Sequence, residues 1–202
     1  MTSMLFRRLS LSLAFAVGLA GSALLATPAS ADGKHEAPIR ALVEKSMRAW
    51  SQDPIVIAAV KEQNQRHAKL TQAEIDTLDK QWRAEVKAAD KPLIKKTMDN
   101  ALSTYLKKVE AESKGLYTEI FVMDDKGLNV GQSDVTSDYW QGDEDKWQKT
   151  FLVGADAVFV DKVEKDESSQ QLQSQVSFAI VDPETKRVIG AVTVGVNVEG
   201  LD

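Results

Sequence analysis

Between Asn129 and Thr150 the chain gathers Ser133, Asp134, Thr136, Asp138, Tyr139 and Trp140 in one short run. The hydroxyls of Ser133 and Thr136 are donors of the size that grips a carboxylate, and the carboxylates of Asp134 and Asp138 would accept hydrogen bonds from an amine. Tyr139 and Trp140 offer flat apolar walls with a phenol and an indole donor for orientation. This is the chemistry of reversible binding. Each residue also has a plain structural use: Asp134 and Asp138 suit an Asx turn or a helix cap, and either aromatic could be packing of loop on sheet. Tyr117 and Met123 sit at alternate positions of a strand-like run with Phe121, where they would floor a pocket or form ordinary core. Lys146 and Lys149 could neutralise an anion or simply be solvated. Trp147 reads as packing.

Turnover chemistry finds little support. The two histidines, His35 and His67, lie 32 residues apart without a third partner, so zinc is not indicated. There is no Gly-x-Ser-x-Gly and no phosphate-binding glycine loop. Asp143-Glu144-Asp145 lacks the alternating oxygen ligands of a calcium loop and reads as a solvated acidic turn. No catalytic residue, metal or cofactor is expected.

Composition sets the address. The chain of 202 residues carries a formal charge of −5 and no cysteine, which excludes disulfides, thiolate metal sites and catalytic thiols. Arg7 and Arg8, the apolar stretch from Leu9 to Leu25 and Ala29-Ser30-Ala31 read as a signal peptide over residues 1–31, cleaved before Asp32. An uncleaved anchor is the alternative. Cleavage leaves an exported, periplasmic protein whose charge of −7, after loss of Arg7 and Arg8, argues against nucleic acid as a partner.

The elements that must position the binding run come in two sets. From residue 36 to 115 the apolar period is helical. Ile39, Leu42, Val43, Met47 and Trp50 form one stripe, and Asp53-Pro54 opens a second helix whose face runs through Val60 towards Asn64 and His67. Thr71 and Glu74 have capping-box spacing with Leu70 and Ile75 placed as a staple. Pro92 opens a helix expected to continue from Ile94 through Val109 to a stop at Gly115. From residue 116 to 199 the period is two. Strands are expected over Tyr117–Met123, Leu128–Gln132, Ala155–Val163, Leu172–Ile180 and Val188–Val198, with turns at Asp124-Asp125-Lys126-Gly127 and Asp182–Lys186. On the first strand, Thr118, Ile120 and Val122 should share one face and Tyr117, Phe121 and Met123 the other. Helices followed by a five-stranded antiparallel sheet make the class α+β, with residues 32–202 as a single domain.

Three segments together carry a resemblance: the hairpin Phe121-Val122-Met123-Asp124-Asp125-Lys126-Gly127, the run Thr136-Ser137-Asp138-Tyr139-Trp140, and the closing strand Arg187-Val188-Ile189-Gly190-Ala191. In this order the chain resembles the single Cache domain, the PAS-like extracytoplasmic sensor fold. The resemblance implies a ligand under the segment joining the second and third strands, of the amino acid or small carboxylate class. It also implies a membrane-bound transducer or transporter subunit as partner, and allows a homodimer through the N-terminal helices. The usual Cache protein continues into a membrane helix and a signalling module, whereas this sequence stops at Asp202, so the expected partner is a separate chain. A ligand-independent interaction module docking through its helices is the alternative, and a small enzyme on the same scaffold is a third reading with no residue in its favour.

Overall fold

A computed structural model describes residues 33–165 and 172–201. The expected signal peptide lies outside them. Helix α1 (Gly33–Leu42) passes through a π-helical turn (Val43–Met47) into α2 (Arg48–Ser51). Ile39, Val43 and Met47, four residues apart, are fully buried along that line. Helix α3 (Pro54–His67) starts as its residues dictate: Asp53 Oδ1 accepts the Ile55 N–H at 2.9 Å and Pro54 occupies the first turn. Its buried stripe is Val56, Ile57, Val60 and Gln63, three apolar residues followed by an amide.

Helix α4 (Gln72–Val86) carries the expected capping box: the Thr71 N–H donates to Glu74 Oε2 at 2.8 Å, and Thr71 Oγ1 accepts the Glu74 N–H. Leu70 and Ile75 pack in one cluster as the staple requires. Helix α5 (Pro92–Met98) lacks a side-chain cap from Lys91, and buried Glu85 of α4 supplies one instead, accepting the N–H groups of Leu93 and Ile94 at 2.8 and 2.9 Å. The helix expected to run unbroken from Ile94 to Val109 is two. Asn100 ends α5 and caps α6 (Ala101–Glu112) through Oδ1, which accepts the Ser103 N–H at 2.7 Å. Its Nδ2 donates to the Val130 carbonyl at 2.8 Å, so the break ties the helix pair to the sheet. Short polar side chains favour caps over helix interiors for this reason.

The sheet comprises β1 (Tyr117–Met123), β2 (Asn129–Gln132), β3 (Val158–Lys165), β4 (Leu172–Val181) and β5 (Val188–Asn197), antiparallel throughout in the order β2-β1-β5-β4-β3. A bulge between Tyr117 and Glu119 rotates the start of β1. Tyr117 therefore leaves the face of Phe121 and Met123, where strict alternation put it, and joins Ile120 and Val122 under the helices. Its hydroxyl lies 3.0 Å from Ser46 Oγ. Gly131 on β2 lets α6 approach closely; a Cβ there would stand 2.8 Å from Leu102 Cγ.

Three apolar clusters result. The largest lies between the sheet and α1, α3 and α6; a second joins α4 and α5 to Leu128 and Tyr139; the third, on the opposite sheet face, holds Phe121, Met123, Ala191 and Trp147. Trp147 comes from α7 (Asp145–Gln148), stacks on Phe151 at 4.9 Å, and donates its indole N–H to the Asp124 carbonyl. It is packing, as its spacing suggested. Among the described residues no helix is long and apolar enough to cross a membrane.

Candidate functional site

The polar, aromatic connection after β2 is clamped by α4. Asp79 Oδ1 accepts the backbone N–H groups of Tyr139 and Trp140 at 2.9 and 3.1 Å, Trp82 donates its indole N–H to the Thr136 carbonyl at 2.8 Å, and Arg83 reaches Asp138 at 3.0 Å. Trp82 is fully buried and stacks on Tyr139, ring centroids 5.2 Å apart and planes 20° apart. These residues of α4 recur at helical spacing (Asp79, Trp82, Arg83), which is what lets one helix face grip a whole segment.

The eight residues singled out by type separate accordingly. Ser133 is buried and closes the end of the β1–β2 ladder: its Oγ accepts the Ile120 N–H at 2.8 Å. Thr136 donates to the Asp138 carbonyl at 2.6 Å and receives Asn129 Nδ2 at 2.9 Å. Asp138, buried, takes Arg83 on one oxygen and Gln141 Nε2 on the other. Asp134 is exposed. Trp140 pairs with Leu128 in an isolated bridge and donates its indole N–H to the Lys126 carbonyl at 2.8 Å, closing the tight turn at Gly127. There the backbone has φ +81 and a Cβ would collide with Gly142. Tyr117 and Met123 lie in the first and third clusters, on opposite faces of the sheet. Lys146 and Lys149 are paired with Glu144 and Asp145 at 2.8 and 2.7 Å.

Of the eight, Tyr139 lines the cavity between α3, α5, α6 and β2. That cavity has a volume of about 520 Å³ and opens at the seam between the first and second apolar clusters. Its walls are aliphatic on three sides: Ile55, Ala58 and Ala59 of α3, Leu93 of α5, and Leu102 and Val130 of α6 and β2. Its polar lining is Glu62, Gln63, Arg66 and His67 from the last turns of α3, with Lys96, Thr97 and Asn100 from α5 and its break. Arg66 and Lys96 are exposed, whereas Gln63 and Thr97 are buried. Arg66 is paired with Glu62 one turn back, in the arrangement of an exposed i,i+4 pair. Burial, then the nearby Asp124 carboxylate, pushes the Tyr139 hydroxyl well above the usual phenol range, so it lines the cavity as a neutral group.

Behind this lining stands Asp124, fully buried in the β1–β2 turn. Its Oδ1 accepts the Lys126 and Leu128 N–H groups, both at 2.9 Å, and its Oδ2 takes Gln63 Nε2 at 3.0 Å and His67 Nδ1 at 2.8 Å. A buried carboxylate with four partners is the expected solution for a charge out of water. Asn64, between them on α3, accepts the Asp125 N–H and donates to the Ile189 carbonyl at 2.7 Å. Helix α3 thus lines the cavity and holds the ends of two hairpins. Among the described residues no group of three or more histidine and acid side chains is arranged to hold a metal ion.

No protein-family model matches the chain, and no curated protein matches it. Among solved structures it is similar to the sensor domain of the V. cholerae histidine kinase DctB, with 13% identity and a TM-score of 0.45 over 83% of this chain and 54% of that one. It is also similar to the ligand-binding domain of the Campylobacter jejuni chemoreceptor Tlp3 in complex with 4-methylisoleucine, at 14% identity and a TM-score of 0.39 over 80% of this chain and 64% of that one. A third likeness is to the ligand-binding domain of the Pseudomonas aeruginosa amino acid chemoreceptor PctC in complex with GABA, at 9% identity, a TM-score of 0.37, and 64% and 56% coverage. The chain spans between 54% and 64% of these structures' own length. The decisive observation is internal: helices first, then five antiparallel strands with the two terminal hairpins meeting at the centre of the sheet. The fold is α+β.

Sequence reasoning passed over Gln63, Arg66, Lys96, Thr97 and Asn100, and weighed His67 only against zinc. One signal was available. Gln63 follows Val60 at helical spacing, so an amide sits in line with the apolar stripe of α3, and a polar residue on a buried face needs a buried partner. Of the others, Lys96 and Thr97 belong to α5, whose placement against α3 is a tertiary fact with no local pattern.

Proposed function

We propose that this protein is an exported ligand-binding sensor domain of the Cache type. Its ligand, a small polar metabolite of the amino acid or small carboxylate class, occupies the cavity between α3, α5, α6 and β2. The observation that carries the reading is the presence of two exposed cations, Arg66 and Lys96, on a cavity of about 520 Å³ with aliphatic walls on three sides. A volume of this order suits a small molecule, and few polar groups on apolar walls are what orient one. The carboxylate meets Arg66 and Lys96, the aliphatic body lies against Ile55, Leu93 and Leu102, and the Tyr139 hydroxyl adds a polar contact. Binding, and not turnover, is what this lining supports.

Helix α3 connects occupancy to the rest of the chain. Besides the contacts of Gln63 and Asn64, Lys61 reaches Asp182 in the β4–β5 turn at 3.1 Å. A ligand that draws on Arg66 therefore acts on the helix from which both turns hang. A separate membrane-bound transducer or transporter subunit reads that state, and a homodimer through the N-terminal helices is compatible with it.

Calorimetric and thermal-shift screening of aliphatic amino acids and short-chain carboxylates tests the proposal. At least one saturable binder is expected, weakened about tenfold or more, on the order of 1.4 kcal/mol, by Arg66→Ala with Lys96→Ala, while the melting temperature moves little because both side chains are exposed. A panel without a saturable binder sinks the reading; binding unchanged in the double variant moves the site elsewhere.

A further inference from the structure

We infer that anion binding in this cavity is coupled to proton uptake at His67, whose imidazolium would bridge the buried Asp124 carboxylate and the anionic end of the ligand. The inference rests on the small-carboxylate reading above and adds a regulation to it.

His67 closes α3, its side chain is 16% exposed, and it lines the cavity. Its Nδ1 lies 2.8 Å from Oδ2 of Asp124, whose side chain is fully buried. The other contacts of that carboxylate are donors: the Lys126 and Leu128 N–H groups and Gln63 Nε2. A carboxylate is an acceptor, so the imidazole proton belongs on Nδ1 in either charge state. This fixes what Nε2 can offer. In the neutral ring it carries a lone pair, and in the charged ring an N–H. A ligand carboxylate opposes the first and hydrogen-bonds the second. Binding to the charged ring therefore takes up a proton, and affinity falls as pH rises.

The other charged groups around the ring are few. Its own helix brings Glu62 and Arg66, the β1–β2 turn Asp124 and Asp125, α5 Lys96, and the β2–α7 connection Tyr139. Between pH 6 and 9 lysine, arginine and carboxylate side chains ordinarily keep their charge. The Tyr139 hydroxyl, pushed up by burial, stays neutral. Asp125 is the one acid displaced towards this window, by burial and then by Asp124. It is the natural control.

The test is calorimetric titration of the full chain with pentanoate at pH 6 and pH 9, on the wild type, His67→Gln and Asp125→Asn. An imidazole-linked site should bind at least about tenfold more weakly at pH 9. His67→Gln should bind within about twofold at the two values, and Asp125→Asn should keep the wild-type difference. Wild-type titration at pH 7.5 in two buffers of different ionisation enthalpy should show net proton uptake, a measurement that needs no variant to fold. Equal affinity at both pH values, or no proton uptake, overturns the coupling and leaves the carboxylate reading in place. A pH difference retained by His67→Gln, or abolished only by Asp125→Asn, overturns the role of His67. Absence of pentanoate binding at either pH overturns the coupling together with the reading on which it rests.

Discussion

Two regions of this molecule bring aromatic and polar side chains together, and they use them in opposite ways. In the connection after β2, the hydroxyls, carboxylates and indoles are engaged with the chain itself. Asp79 holds two backbone N–H groups, Trp82 holds the Thr136 carbonyl, Arg83 and Gln141 hold Asp138, and Trp140 holds the Lys126 carbonyl. Along the cavity the residue types look less promising, yet Arg66, Lys96 and His67 line it beside aliphatic walls. Density of chemistry-bearing residues thus marks a hydrogen-bond network here. The site we propose is the cavity beside it. The one residue common to both regions is Tyr139, clamped by α4 on one side and lining the cavity on the other.

The contrast breaks first at Trp82. If the connection is a structural clamp, Trp82→Ala removes a fully buried indole, its stack on Tyr139 and its bond to the Thr136 carbonyl. A loss of about 3–5 kcal/mol of stability is expected, read as an early denaturant midpoint. A variant that kept its stability and lost only ligand binding would make the segment a lid instead.

Asp79→Ala comes next. It strands the Tyr139 and Trp140 N–H groups, each in a partly buried setting, and releases Arg83. The expected loss is about 1–3 kcal/mol, and ligand affinity should fall with it because Tyr139 is no longer held against the cavity. Stability lost with affinity intact would show that Tyr139 is a wall by proximity alone.

How far the sequence could lead follows from the same contrast. Helix starts were legible at Asp53-Pro54 and Thr71–Glu74 because a cap is a local contract between residues two or three apart. Strands were legible from their alternation, and the α+β class with them. The break at Asn100 was not, because the apolar period continues across it and only contact with Val130 shows why the chain turns there. Tyr117 was put on the wrong face of β1 because a bulge is one residue of extra length that alternation cannot register. Binding chemistry was sought where residue types cluster. That cluster is engaged with the chain itself, because whether a carboxylate is free or engaged depends on a helix some sixty residues away, Asp79 facing Tyr139 for one.

Arg83→Ala separates the two halves of the clamp, and its effect should be the smallest. Arg83 forms ion pairs with Asp79 at 2.6 Å and Asp138 at 3.0 Å, yet its side chain is 53% exposed. Its hydrogen bond to Asp79, the leading cause, holds the guanidinium above its usual range, but exposure to solvent screens the pairing. Less than about 1 kcal/mol should be lost, a fall in melting temperature of roughly 2–4 °C at most for a chain of this size. Raising the salt concentration should shrink the difference from wild type further. The comparison that matters is with Asp79→Ala. If Arg83→Ala costs clearly less, the connection is held by backbone N–H groups donating into Asp79, a contact whose loss leaves buried donors unpaired. If the two variants cost the same, the ion pair is the clamp. The segment would then loosen with salt, and Tyr139 would become a wall that ionic strength can move.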